Sequence, residues 1–557
     1  MDFEQFYQDR YPANVPRTID LDRFRSMVDV FEQSCEQFAD LPAFSAVGVT
    51  LTYRELDAQS RNFAAWLQNR TNLKPGDRIA VQMPNLTQYP VVVFGAMRAG
   101  LVVVNTNPLY TPHEMEHQFN DSGARALVVL ANMADNAEHV LPRTSIEYVI
   151  VTEVADMHPP LKRTLMNAAV KYLKKMVPKF ELPQAHKLPA VLNAGSKETF
   201  TPYECNKDDI AVLQYTGGTT GVAKGAMLTH ANLVANLLQT LAMLEGNAAE
   251  GEEVVIAPLP LYHIYSFTLN CGAMLAKGSH NVLIPNPRDI PGFVKELKKH
   301  RFTVFMGLNT LFVALCNNDE FKQLDFSTLK MTTSGGMALA GDTARMWQQI
   351  TGVAVCEGYG MTETSPVVTF NPLSAIQLGT IGLPLSNTVV KTLDEDGNET
   401  PRGEPGELCV KGPQVMRGYW QRPEDTQKTF TEDGFLRTGD IAIIQDDGYI
   451  RIVDRKKDMI IVSGFNVYPN EIEDVVMGHP EVIECAAVGV PDAKSGEAVK
   501  VFLVSSSPEL TAGELKEFCR ERLTAYKVPK QFEFRSELPK TNVGKILRRE
   551  LRDESTV

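Results

Sequence analysis

The run Tyr215-Thr216-Gly217-Gly218-Thr219-Thr220-Gly221-Val222-Ala223-Lys224-Gly225 concentrates the residue types a polyphosphate needs. Its four glycines let the backbone bend close to an anion. Thr216, Thr219 and Thr220 offer hydroxyl donors, and Lys224 adds a mobile positive charge. The run follows the apolar stretch Ile210 to Leu213. No Gly-Lys pair followed by Ser or Thr closes it, which excludes a Walker A loop. Taken alone, it is also compatible with an ordinary glycine-rich turn.

Further groups with nucleotide chemistry follow along the chain. Gly335-Gly336 permits close backbone approach to a flat base, and Tyr359, followed by Gly360, can stack on one. Asp440, in Thr438-Gly439-Asp440, can accept from both hydroxyls of a ribose, and Arg455 can bridge ribose and phosphate; either residue would also suit a surface turn. Thr362-Glu363 also suits a capped helix start. Lys545 follows Gly544 in a basic tail, where lysine is usually a solvated charge.

In this order, Tyr215 to Gly225, Tyr359-Gly360-Met361-Thr362-Glu363, Thr438-Gly439-Asp440, Asp454-Arg455 and Gly544-Lys545 resemble the motif set of the adenylate-forming (ANL) superfamily, across nearly the whole chain. The connecting segments Pro108 to Pro112, Asn309 to Phe312 and Val462 to Glu471 are similar to bacterial long-chain fatty acid–CoA ligases of the FadD type. The resemblance implies ATP and CoA as co-substrates, Mg2+ as cofactor and a fatty acid as the activated acid. In it the loop from Thr216 to Lys224 holds the β- and γ-phosphates, Thr362 donates to a phosphate oxygen, and Glu363 binds the metal. Tyr215, Gly335, Gly336, Tyr359, Gly360, Asp440 and Arg455 complete the nucleotide seat, and Lys545 reaches the carboxylate and α-phosphate. His263, Tyr265 and Phe267 would line the acyl pocket. Ser463, Gly464 and Phe465 would meet the pantetheine of CoA after the C-terminal domain swings about Lys457. A homodimer is compatible with the resemblance.

A carboxylate has a reference pKa near ~4, so at neutral pH it can attack phosphorus without a general base. The enzyme then needs charge and alignment, which scattered Lys, Arg, Thr and Glu supply without a Ser-His-Asp set. No Asp or Glu lies between Ala257 and Asn286, where amino-acid-activating relatives usually hold the substrate amine, so an uncharged acyl chain is favoured. A medium-chain substrate, a carrier-protein acceptor for the acyl-adenylate, and a non-catalytic lipid or nucleotide sensor are the alternatives.

Short apolar runs (Ala126 to Leu130, Val254 to Ala257, Val304 to Met306) alternate with amphipathic stretches such as Tyr53 to Asn69, the rhythm of layered α/β structure. Turn signals from about residue 378 predict a small β-rich subdomain ending at 454. A domain boundary is placed at the charged cluster Asp454 to Asp458, so the expectation is an N-terminal domain over 1–454 and a small mobile α+β domain over 455–557. At 557 residues and 44 % hydrophobic content the chain has material for both.

The net charge of -13 gives no basic field for nucleic acid. The eight scattered cysteines form no C-x-x-C pair, which argues against zinc and disulfides and fits a reducing cytoplasm. The acidic N-terminus leads into no signal-type apolar region. Val91 to Val104, interrupted by Arg98, is too short to span a membrane and reads as buried core. Leu161 to Lys179 carries six basic and no acidic residues. As a helix it puts Leu161, Leu165, Ala168, Tyr172 and Met176 on one face, for docking on the domain or for contact with the cytoplasmic face of the inner membrane.

Overall fold

The computed structural model describes residues 6–7, 10–216, 223–463, 465–492, 494–541 and 546–555. Among these residues the strands form four sheets of nine, seven, five and four strands. In the nine-stranded sheet a parallel centre, including Val254–Ala257, Val304–Gly307, Met331–Ser334 and Val355–Gly360, is flanked by antiparallel edges. The seven-stranded sheet has Arg78–Gln82, Val102–Asn105, Ala124–Leu130 and Ile210–Thr216 in parallel, closed on one side by antiparallel Lys224–Thr229. Strands buried on both faces should read as continuous apolar runs, and Val254–Ala257 and Val304–Gly307 do.

Helix Tyr53–Arg70, started by a capping box between Thr52 and Glu55, packs on the fully buried helix Gln88–Arg98. The stretch from Val91 to Val104 is therefore core, as expected. Its Arg98, 1 % exposed, is held by Glu32 at 2.9 Å and Asp57 at 2.5 Å, which is how a charge survives in that interior.

The antiparallel four-stranded sheet runs from Val389–Leu393 to Ile450–Arg455. Leu383–Pro384 pairs instead with Val367–Phe370 of the nine-stranded sheet, so the small sheet begins later than the turn signals near residue 378 suggested. Beyond Arg455, Ile460–Val462, Phe465–Val467, Val482–Asp492, Gly496–Ser505 and Gln531–Phe534 form the remaining sheet, with helices Pro469–Met477 and Ala512–Arg520 packed around a core of their own. Mixed α/β layers followed by a small β-rich sheet and a small α+β unit match the expected fold class.

The basic segment is a helix, Pro160–Ala168, continued by a π-helical stretch, Ala169–Leu173. Its apolar residues do not dock on the domain: Leu161 is 77 %, Tyr172 72 % and Leu173 81 % exposed. It is held from its other side by Asn167, which accepts from Ala155 N at 2.9 Å and donates to Asp156 at 3.1 Å. Among the described residues no helix is long and apolar enough to cross a membrane. The eight cysteines are free.

Candidate active site

Open α/β sheets place ligands at the carboxyl ends of their parallel strands. Here the carboxyl ends of both large sheets face one cleft of about 3560 Å³, whose far wall is the C-terminal unit. Thr216 ends Ile210–Thr216, Gly335-Gly336 follows Met331–Ser334, and Tyr359-Gly360 ends Val355–Gly360. Tyr215, Lys224, Thr362, Glu363, Asp440, Arg455, Lys457, His263 and Tyr265 line the same cleft. Residues scattered over more than 240 positions of sequence thus meet in one place.

Thr216 and Lys224 sit opposite each other on an antiparallel hairpin. Gly217, Gly218, Thr219, Thr220 and Gly221, which join the strands, lie outside the described residues. Lys224 Nζ is 2.8 Å from Asp425 and lies 5.3 Å above the Tyr419 ring. Tyr215 donates to Asp121 at 2.8 Å, which is also held by Arg422 at 2.6 Å, so this hydroxyl braces the hairpin.

Glu363 is 6 % exposed and accepts from the Tyr419 hydroxyl at 2.6 Å. Burial raises its pKa, a rise that the hydrogen bond from Tyr419 offsets only in part. A buried carboxylate in that position suits a cation. Thr362 opens a short 3-10 turn beside it.

Asp440 and Arg455 face each other across adjacent strands, with Arg455 Nε 3.4 Å from Asp440 Oδ1. Asp440 Oδ2 accepts from the Tyr359 hydroxyl at 2.5 Å. A carboxylate has about four acceptor positions, so capacity for hydroxyl groups remains.

The glycines serve different ends. Gly336 has φ +80 and open space on its Cβ side, which leaves room for a flat ring. At Gly335 a Cβ would stand 3.2 Å from the Tyr265 ring, and at Gly360 one would stand 1.9 Å from Pro366 O; these two are glycines for packing. The loop over Gly335 to Ala340 is also fixed by Glu357, which accepts from Leu339 N at 3.2 Å, and by Asn309, which accepts from Ala340 N at 3.0 Å. Burial pushes Glu357 up to about 8.

His263 caps helix Ile264–Thr268, its Nδ1 accepting from Tyr265 N at 3.3 Å. Burial lowers its pKa to about 4, so it is a neutral imidazole whose Nε2 carries the proton. The Tyr265 hydroxyl is 3.3 Å from Thr333. Phe267, expected at the acyl pocket, is fully buried in the main core and is not among the residues that line the cleft, whereas its neighbours Ile264 and Leu269 are.

Lys457 lies at the cleft, its pKa drawn down to about 8 by partial desolvation and then by the Arg455 charge. Ser463 and Phe465 belong to the hairpin of Ile460–Val462 and Phe465–Val467, which does not line the cleft; Phe465 is 56 % exposed and stacks on Tyr526 with centroids 4.8 Å apart. Gly464 and Lys545 lie outside the described residues.

Sequence reasoning missed Tyr419, Asp425, Glu357 and Asp121. Each acts through a partner far along the chain, and only Tyr419, an aromatic beside Trp420, carried even a weak signal.

The chain matches the AMP-binding enzyme family over residues 31–420 and the AMP-binding enzyme C-terminal domain over residues 471–545. It is 55 % identical over 553 residues to the long-chain-fatty-acid–CoA ligase of Escherichia coli O6:H1, covering 99 % of this chain and 98 % of that one. It is 51 % identical over 555 residues to the long-chain-fatty-acid–CoA ligase of Haemophilus influenzae, with the same coverage. Among solved structures, ATP-bound MatB from Rhodopseudomonas palustris superposes with a TM-score of 0.77 at 31 % identity, over 95 % of this chain and 98 % of that one. The order of motifs, the convergence of their described residues on one cleft and similarity along the whole length have one explanation: the chain belongs to the AMP-binding enzyme family.

Proposed function

We propose that the chain is a long-chain fatty acid–CoA ligase. The fatty carboxylate oxygen attacks the α-phosphorus of ATP, the bond to the β-phosphate oxygen breaks, and diphosphate leaves an acyl-adenylate. The CoA thiol then loses its proton and attacks the acyl carbonyl, and AMP departs. The observation that carries this reading is the meeting of Lys224, Glu363, Asp440 and Arg455 in one cleft, in a chain 55 % identical to a curated ligase of that name along its length.

Lys224 neutralises phosphate charge by leaving Asp425 for it, and Thr362 donates to a phosphate oxygen. Asp440 seats the ribose, and Arg455 bridges it to phosphate. Glu363 would hold Mg2+, with phosphate and water completing a hard oxygen shell; when bound, the ion neutralises polyphosphate charge. His263 and Tyr265 form the wall toward the acyl chain, His263 with an Nε2 proton to offer a carboxylate or carbonyl oxygen. Lys545 supplies the point charge at the carboxylate and α-phosphate.

In this reading residues 1–454 are the adenylation domain, the segment 454–458 is the hinge with Lys457 as pivot, and 455–557 is the mobile domain. Rotation brings Ser463, Gly464 and Phe465 toward the pantetheine. Labelled diphosphate exchange into ATP, run with Mg2+ and a series of straight-chain acids, tests the adenylation half. Long acids should support exchange and free CoA should then accept the acyl group. Exchange confined to short acids would reassign the substrate, and refusal of free CoA would favour a carrier-protein acceptor.

The exposed residues Leu161, Leu165, Tyr172, Leu173 and Met176 beside Lys162, Arg163, Lys171, Lys174, Lys175 and Lys179 support peripheral contact with an anionic membrane surface on the cytoplasmic side. Each basic group near such a surface is worth about 1 kcal/mol. The protein should float with vesicles containing anionic lipid, and Lys171→Glu with Lys174→Glu and Lys175→Glu should leave it in the load fraction. Equal flotation of the two proteins would exclude this segment.

A further inference from the structure

Arg548, the first residue of helix Arg548–Ser555, stands in sequence three positions after Lys545 and is 16 % exposed. Its guanidinium grips Glu473 through Nε at 2.9 Å and Nη2 at 2.5 Å, and Asn470 Oδ1 through Nη2 at 2.5 Å, both on helix Pro469–Met477. Its Nη1 lies 3.4 Å from Asp454 and 3.6 Å from Asp458. The last two carboxylates lie on opposite sides of Lys457.

Asp454 belongs to strand Ile450–Arg455 and is paired with Ile441, so it is fixed to the four-stranded sheet. It is fully buried, and its Oδ2 accepts from Asn470 N at 2.7 Å; Asn470 Nδ2 also donates to Val453 O at 3.1 Å. Asp458 is held by Arg552 at 2.9 Å and travels with the C-terminal unit. A turn at Lys457 would keep the bonds of Arg548 to Glu473, Asn470 and Asp458 and break its contact with Asp454, together with the bonds of Asn470 to Asp454 and Val453.

The present orientation points the described tail residues on either side of 542–545 toward the cleft. Lys540, Thr541 and Ile546 line it, and Ile546 is bridged to Lys540, with Leu547 N donating to Pro539 O at 2.8 Å. Ser463 and Phe465 do not line it. We infer that Arg548, with Asp454 as its partner across the hinge, is a positioning residue for adenylation, latching the C-terminal unit in the orientation that presents the tail to the cleft. This rests on the two-step reading above.

The test measures both half-reactions separately in Asp454→Asn, which keeps shape and removes the charge, and in Arg548→Lys and Arg548→Ala. Misplacement of a reacting group by about 1 Å can cost a hundredfold, so Asp454→Asn and Arg548→Ala should lower the rate of acid-dependent diphosphate exchange by about tenfold or more. Thioester formation from supplied acyl-adenylate and CoA should stay within about threefold of the parent, with Arg548→Lys between parent and Arg548→Ala, because the transition-state charges of that step are met by other groups. Parallel loss of both half-reactions, selective loss of thioester formation, or an unchanged Asp454→Asn would each overturn the latch. Absence of exchange in the parent protein would instead overturn the ligase reading.

Discussion

Lys545→Ala should abolish acid-dependent diphosphate exchange while leaving thioester formation from supplied acyl-adenylate largely intact. In the proposed reaction the developing negative charge at the carboxylate and α-phosphate would be met by this positive point charge, which would bind transition state more than ground state, and such a contact is worth about 3 kcal/mol, a hundredfold or more in rate. Lys545→Arg should recover little, since the broad planar guanidinium does not replace a compact ammonium. The two half-reactions, measured separately on purified protein, decide it. Equal loss in both would mean that the residue serves the fold or the thioester step.

Glu363→Gln should reduce the same exchange by about a hundredfold, as expected when a group aimed at transition-state charge is removed, and should shift the Mg2+ dependence to higher concentration. The reason lies in the surroundings of this carboxylate: it is 6 % exposed, its hydrogen-bond partner is the Tyr419 hydroxyl, and burial favours its protonated form. A divalent cation would reverse that preference and bind the ionised form. Glutamine keeps the hydrogen bond to Tyr419 and loses the charge. Tyr419→Phe should act in the same direction with a smaller effect, since it removes the hydrogen bond that favours the ionised carboxylate but leaves the carboxylate itself. Mg2+ titrations of exchange read both variants; an unchanged Mg2+ requirement in Glu363→Gln would remove this residue from the metal site.

What the sequence made legible was local chemistry. Glycine with threonine and lysine marks a segment whose residue types suit a phosphate, and apolar runs of four to seven residues mark buried parallel strands, because backbone reach and strand burial act within a few residues. The positions of Asp440 and Arg455 on adjacent strands were not readable from their types, yet that pairing brings the two side chains to 3.4 Å at the cleft. Contacts spanning the chain left no local trace: Arg422 meets Asp121 across 301 positions and Arg548 meets Asp454 across 94. Phe267 shows the converse. It has the right type in the right segment, but the direction of one helical turn sends it into the core. The face chosen by the basic helix was equally hidden, since an amphipathic pattern says that one side is apolar without saying what that side meets.

Glu407, 5 % exposed, holds both Arg437 and Lys456 at 3.0 Å, and Lys456 N donates to Gly439 O at 2.9 Å. The last anchored residue of the sheet is therefore one position before the proposed pivot, which leaves the crank almost no slack. A joint of that kind selects between stops and is poor at lingering between them. In the two-step reading proposed above its consequence is temporal order: diphosphate would depart before the thiol arrives, and the two halves of the reaction would communicate through the adenylate alone. Double-reciprocal plots of rate against ATP at several CoA concentrations would then run parallel, the mark of a ping-pong sequence.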